Sequence, residues 1–136
     1  MKTLIAPLAF ASVAHADPGF DGCFQLYVPG AMYPAFCLQG TTEEGIGGSG
    51  ARLAIFATNT DRLVYCSKST ASAMTADSYL FELNGKKEMI LENVKDVSGR
   101  KEGDAIFGST RLKFMEIDAG NTLRLLGIAN KRNDCQ

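Results

Sequence analysis

Tyr79-Leu80-Phe81-Glu82-Leu83-Asn84-Gly85-Lys86-Lys87-Glu88-Met89-Ile90-Leu91-Glu92 sets two apolar-rich runs on either side of an Asn-Gly dipeptide. A tight hairpin turn needs positive φ at its central residues, which Asn and Gly tolerate best, so Asn84-Gly85 is the strongest short-range hairpin signal in the chain. It predicts strands over Tyr79–Leu83 and Lys87–Glu92. The register stays open: a two-residue turn pairs Glu82 with Lys87, whereas a four-residue turn pairs Leu83 with Glu88. A helix from Lys86 to Val97, burying Ile90, Val94 and Val97, is the competing reading.

Working upstream, Arg52–Thr58 and Arg62–Ser67 form a second predicted hairpin around Asn59-Thr60-Asp61. In its second arm Leu63 and Tyr65 share one face, and Val64, Cys66 and Lys68 the other. Ser69–Asp77 is rich in Ala and Ser and predicts the one short helix, capped by Ser69 or Thr70. Further back, Phe20–Val28 reads as a first strand stopped by Pro29-Gly30, and Ala35–Leu38 as a short second one. Gln39–Gly50 holds five glycines and one apolar residue, Ile46, and is expected to be a loop.

Downstream, Ser98–Asp104 reads as a polar turn. Ala105–Asp118 and Thr122–Ala129 read as a last hairpin around Ala119-Gly120-Asn121; after Phe114 the alternation slips to Met115 and Ile117, which predicts a β-bulge or a face buried on both sides. Asn130–Gln136 is a polar tail. About eight short strands separated by turn signals predict an all-β domain, a small antiparallel barrel or sandwich with one short helix.

Residues 1–16 read differently. Lys2, the apolar run Leu4–Val13 and the small-x-small site Ala14-His15-Ala16 together predict a secretory signal peptide, too short to span a bilayer as a helix. Cleavage before Asp17 leaves no N-terminal cysteine for a lipid anchor and gives a single exported domain, 17–136, in the periplasm or outside the cell. Without Lys2 the 120-residue product has 13 basic and 15 acidic side chains, a formal charge of −2. No long run of either sign is present, so neither nucleic acid nor an anionic membrane is an expected partner.

In an oxidising compartment four cysteines imply two disulfides. Three pairings are open. Cys23 with Cys37, closing a short loop, and Cys66 with Cys135, pinning the tail, is the preferred one, each bridge stabilising by roughly 3 to 4 kcal/mol. Zinc is disfavoured, since no C-x-x-C spacing exists and the only histidine, His15, leaves with the leader. The same loss removes Ser-His-Asp and Cys-His catalysis. Neither a cofactor nor a metal is expected, and the chain is not expected to be an enzyme.

Three strings resemble chemical motifs without their context. Gly45-x-Gly47-x-x-Gly50 precedes a strand rather than a helix. Ser98-Gly99-Arg100-Lys101 spells S-x-x-K but lacks the partner elements of serine acyl-enzymes. Glu43 and Glu44 are adjacent in a loop, not set across a cleft. Phe20, Phe24, Tyr27, Tyr33 and Phe36 crowd the N-terminal region and would suit a protein partner if exposed.

What remains for recognition is two surface segments, Glu43–Arg52 and Ser98–Asp104, with Ser49, Arg52, Ser98, Arg100, Lys101 and Glu102 as candidate partner-binding residues. Ser49-Gly50-Ala51-Arg52 resembles the first inhibitory motif of the periplasmic inhibitors of c-type lysozyme, and Lys101-Glu102-Gly103-Asp104-Ala105 distantly resembles the second. That resemblance implies a small exported eight-stranded barrel with a disulfide, whose serine and lysine hydrogen-bond the catalytic carboxylates of the lysozyme. Leu53 stands where that family shows tyrosine, and the chain has no tryptophan for the second motif. The chain is also similar in general character to exported immunity proteins against wall-degrading toxins. The expected function is therefore binding and inhibition of a peptidoglycan-degrading enzyme by a loop entering its cleft. The alternatives are a secreted β-barrel module for a small ligand or carbohydrate, and a secreted effector.

Overall fold

A computed structural model describes residues 21–45 and 48–132, with backbone only at 41–45, 48 and 49. The signal-peptide reading of residues 1–16 lies outside them. Eight antiparallel strands, β1 (Gly22–Val28), β2 (Ala31–Gly45), β3 (Gly48–Phe56), β4 (Leu63–Thr75), β5 (Ser78–Leu83), β6 (Lys86–Val97), β7 (Arg100–Phe107) and β8 (Thr110–Glu116), close into a barrel, and a helix α1 (Ala119–Asn130) follows. Each strand pairs with the next. The seam is β1 with β8, from Phe24 opposite Glu116 to Tyr27 opposite Lys113.

Local turn chemistry fixes most of the register. Asn84 and Gly85 have φ of 54° and 79°, a two-residue turn that pairs Leu83 with Lys86 and Glu82 with Lys87. The competing helix over Lys86–Val97 is thereby overturned: the segment is strand throughout. Ser98-Gly99 repeats the device, with φ of 55° and 82°. The polar turn expected over Ser98–Asp104 is thus only its first two residues, because Arg100 already pairs with Val97. Gly108-Ser109 makes a further two-residue turn, with positive φ at Gly108 alone (64°), and divides the single strand expected over Ala105–Asp118.

Three further expectations give way to closure of the sheet. Gln39–Gly50 is not a loop, since β2 runs to Gly45 and β3 resumes at Gly48, and ladder hydrogen bonds need no apolar side chain. Ser69–Asp77 is not a helix, because β4 carries Ala71 into the core at the strand period. Thr122–Ala129 is not a strand. Once β8 has paired with β1, no sheet edge is left for it, so it coils into α1, capped by the Asp118 carboxylate on the Asn121 amide at 3.1 Å. No register shift follows Phe114, so there is no bulge; Met115 is half-buried, and Ile117 packs against the outer cluster with Leu125 and Ala129.

All eight strands contribute to the interior: Phe24, Leu26, Phe36, Leu38, Ala51, Leu53, Ala71, Phe81, Met89, Leu91, Ala105, Leu112 and Phe114 form one buried cluster. The rings of Phe24, Phe36 and Phe114 sit 5.2 to 6.2 Å apart in tilted and edge-on arrangements. Phe24 and Phe36 therefore belong to the core and not to a surface aromatic patch. On the outer face α1 lays Leu125 and Ala129 over Cys23, Cys37, Ala54 and Phe56. The expected Cys23–Cys37 disulfide is present, bridging directly opposed residues of β1 and β2. Cys66 is disulfide-bonded as well; Cys135, its expected partner, lies outside the described residues.

Gly103 sits opposite Phe114, and a Cβ there would lie 2.8 Å from the Glu92 carbonyl oxygen and 2.9 Å from the Phe114 ring. Neither neighbour is the free end of a flexible chain. Gly103→Ala is therefore expected to destabilise by ~1–3 kcal/mol through overpacking, seen as a lower urea midpoint with an unchanged slope. An unchanged midpoint would show that the wall yields at this point.

Candidate functional site

Alternating strand direction sorts the connections between two barrel ends. The junctions β1–β2, β3–β4, β5–β6 and β7–β8 lie at one end, and β2–β3, β4–β5 and β6–β7 at the other. The two segments singled out for recognition surround the β2–β3 and β6–β7 junctions. They therefore share one end, which also carries the exposed Met74 and Val97.

The candidate side chains there are unequally available. Ser49 lies on β3 opposite Glu44 and Ala71 by backbone register. Arg52 is turned to the outer face, where its guanidinium donates to the Gln39 side-chain oxygen at 3.3 Å and to that of Asn130, tying β3 to the end of α1. Its Nε is buried with no hydrogen-bond partner among the described residues. Ser98 is exposed at the β6–β7 turn. Arg100 is exposed and donates to the Glu116 carbonyl at 2.7 Å. The Lys101 ammonium lies 3.6 Å from Asp96, its side chain is 25 % exposed, and its backbone amide donates to the Glu116 carboxylate at 2.8 Å. Glu102 is half-buried between Lys95 and Met115. Of those whose side chains are described, Ser98 and Arg100 are the most open to a partner.

The opposite end holds a constellation with no counterpart in the reading of the sequence. The register of β5 on β6 shifts between Phe81 and Glu82, which leaves Glu88 over from the ladder. Its carboxylate reaches across to β4 and accepts from the hydroxyls of Tyr65, Ser67 and Ser69, with Ser67 at 3.1 and 3.2 Å from the two oxygens. Ser67 and Ser69 are 7 % and 4 % exposed and stand 3.2 Å apart. Tyr65 is 40 % exposed, beside exposed Val64, and Met32 and Tyr33 are exposed at the same end. No sequence signal marks this group, since β4 and β6 meet only through the fold.

Chemically, the cluster is one carboxylate held by hydroxyls. Among the described residues no three His, Cys, Asp or Glu are grouped to hold a metal ion. No helix among them is long and apolar enough to cross a membrane. No protein family, curated protein or solved structure matches the chain.

The hydrogen bond to Glu88 raises the Tyr65 phenol above its ordinary value, with desolvation and the Glu88 charge adding to it and the Ser67 bond opposing. A raised folded value means that the stability supplied by this phenol is fully present below about pH 10 and is lost as pH rises through the folded value. The phenolate absorbance of Tyr65, taken as the difference from Tyr65→Phe, should thus emerge at higher pH than in Glu88→Gln. Coincident titrations would remove Glu88 as the cause.

Proposed function

We propose that the chain is an exported, non-enzymatic binding protein that inhibits a peptidoglycan-degrading enzyme, as an immunity protein or a lysozyme inhibitor. The observation that supports this reading is the shared barrel end: the β2–β3 and β6–β7 hairpins, which carry the two stretches resembling inhibitory motifs, stand on opposite sides of the same rim. The barrel interior is packed with side chains, so its connections are the natural place for recognition. The disulfide fits the same reading, as would the loss of the only histidine, His15, if the expected leader is cleaved.

In this mechanism Arg100, exposed at the start of β7, donates charge-assisted hydrogen bonds to a catalytic carboxylate of the target and keeps substrate out. Lys101, shared with Asp96, adds positive potential behind it. The oxidised chain 17–136 is expected to inhibit c-type lysozyme or another wall hydrolase in a turbidity assay. Arg100→Ala with Lys101→Ala should weaken that inhibition at least tenfold, about 1.4 kcal/mol. Unchanged inhibition would move the contact away from the β6–β7 hairpin. Failure to inhibit any wall hydrolase would end this reading.

A further inference from the structure

The end of the barrel opposite the proposed inhibitory face carries a groove of about 380 Å³ beside the Asn84-Gly85 turn, lined by Leu83, Asn84, Lys86, Lys87 and Glu88. We propose that this groove binds a small amphoteric ligand of the amino-acid class, its ammonium on Glu88 and its carboxylate on Lys86 and Lys87.

Three observations carry the assignment. The first is acceptor capacity. A carboxylate offers about four lone-pair positions. The hydroxyls of Tyr65, Ser67 and Ser69 own only three protons between them, and the single Ser67 proton is shared between both oxygens at 3.1 and 3.2 Å, so an incoming N–H donor takes the position at one oxygen that Ser67 only half fills. The second is preorganisation. Ser67 and Ser69 are almost fully buried, and their bonds hold the Glu88 carboxylate in place before a ligand arrives. The third is the arrangement of charge. Lys86 and Lys87 are exposed and line the same groove as Glu88. A simple cation would meet the lysines and a simple anion would meet the carboxylate, whereas a ligand carrying both charges satisfies both. Leu83 supplies the apolar surface against which an aliphatic side chain can lie. The volume falls within the range of small-molecule sites, roughly 300–1,000 Å³.

The site is independent of the inhibitory reading, being built from different residues at the other end of the barrel. The test is amide and side-chain NMR titration of the oxidised chain 17–136 with leucine, N-acetylleucine and leucinamide, the latter two lacking the ammonium and the carboxylate respectively. Leucine should give saturable shifts confined to Leu83–Glu88 and the serines of β4, with the two derivatives at least tenfold weaker. Glu88→Gln should lose at least tenfold in affinity for leucine. So should Lys86→Ala with Lys87→Ala, which alters only exposed side chains and reports even if Glu88→Gln does not fold. Equal shifts from all three probes, non-saturating shifts with leucine, or wild-type affinity in the lysine variant would overturn the proposal.

Discussion

Pairing of the first strand with the last is the constraint on which the remaining structure depends. Four residues of β1, Phe24 to Tyr27, lie opposite four of β8, Lys113 to Glu116, and that seam turns an open meander into a barrel without edges. Closure dictates what lies inside: a barrel of this size has an interior just wide enough to be filled by side chains, and here three phenylalanine rings fill its middle. It also dictates what lies outside. The twelve residues after Asp118 find no strand to join and cover the disulfide as a helix.

A filled interior leaves the ends as the places where chemistry can differ, and the two ends do differ. One presents hairpins with Ser98 and Arg100 open and Lys101 held by Asp96. The other presents a carboxylate fastened by hydroxyls, among exposed Met32, Tyr33, Val64 and Tyr65. Buried hydroxyl–carboxylate clusters add little stability over apolar packing of the same volume. Ser67, Ser69 and Glu88 are thus more informative about recognition than about folding.

How much of this the sequence discloses depends on the range over which each feature is determined. The Asn84-Gly85 turn, the eight-stranded antiparallel class and the Cys23–Cys37 bridge follow from local chemistry or short spacing, and all three are legible. The extension of β2 and β3 through glycines is not, because paired backbone leaves no mark in side-chain pattern. The strand character of Ser69–Thr75 and the helix of Ala119–Asn130 are decided by neighbours distant in sequence, which override the Ala- and Ser-rich composition of one and the β-like run of the other. Of the candidate site, the placing of two hairpins at one end follows from strand parity. The Glu88 cluster does not, since a shift in the ladder turns Glu88 toward hydroxyls on a strand two places away.

The Cys23–Cys37 bridge has a consequence in time as well as in space. A chain that enters an oxidising compartment N-terminus first presents β1 first and β8 last, so one flank of β1 waits for its partner until the C-terminal strand has followed. During that interval the β1–β2 hairpin is the only sheet that β1 can join. A covalent link between the opposed residues 23 and 37 fixes its register, where a slip of one residue would turn Phe24 and Phe36 to the outside. The bridge thus acts as a placeholder for the seam, keeping the first strand correctly oriented until the last one arrives.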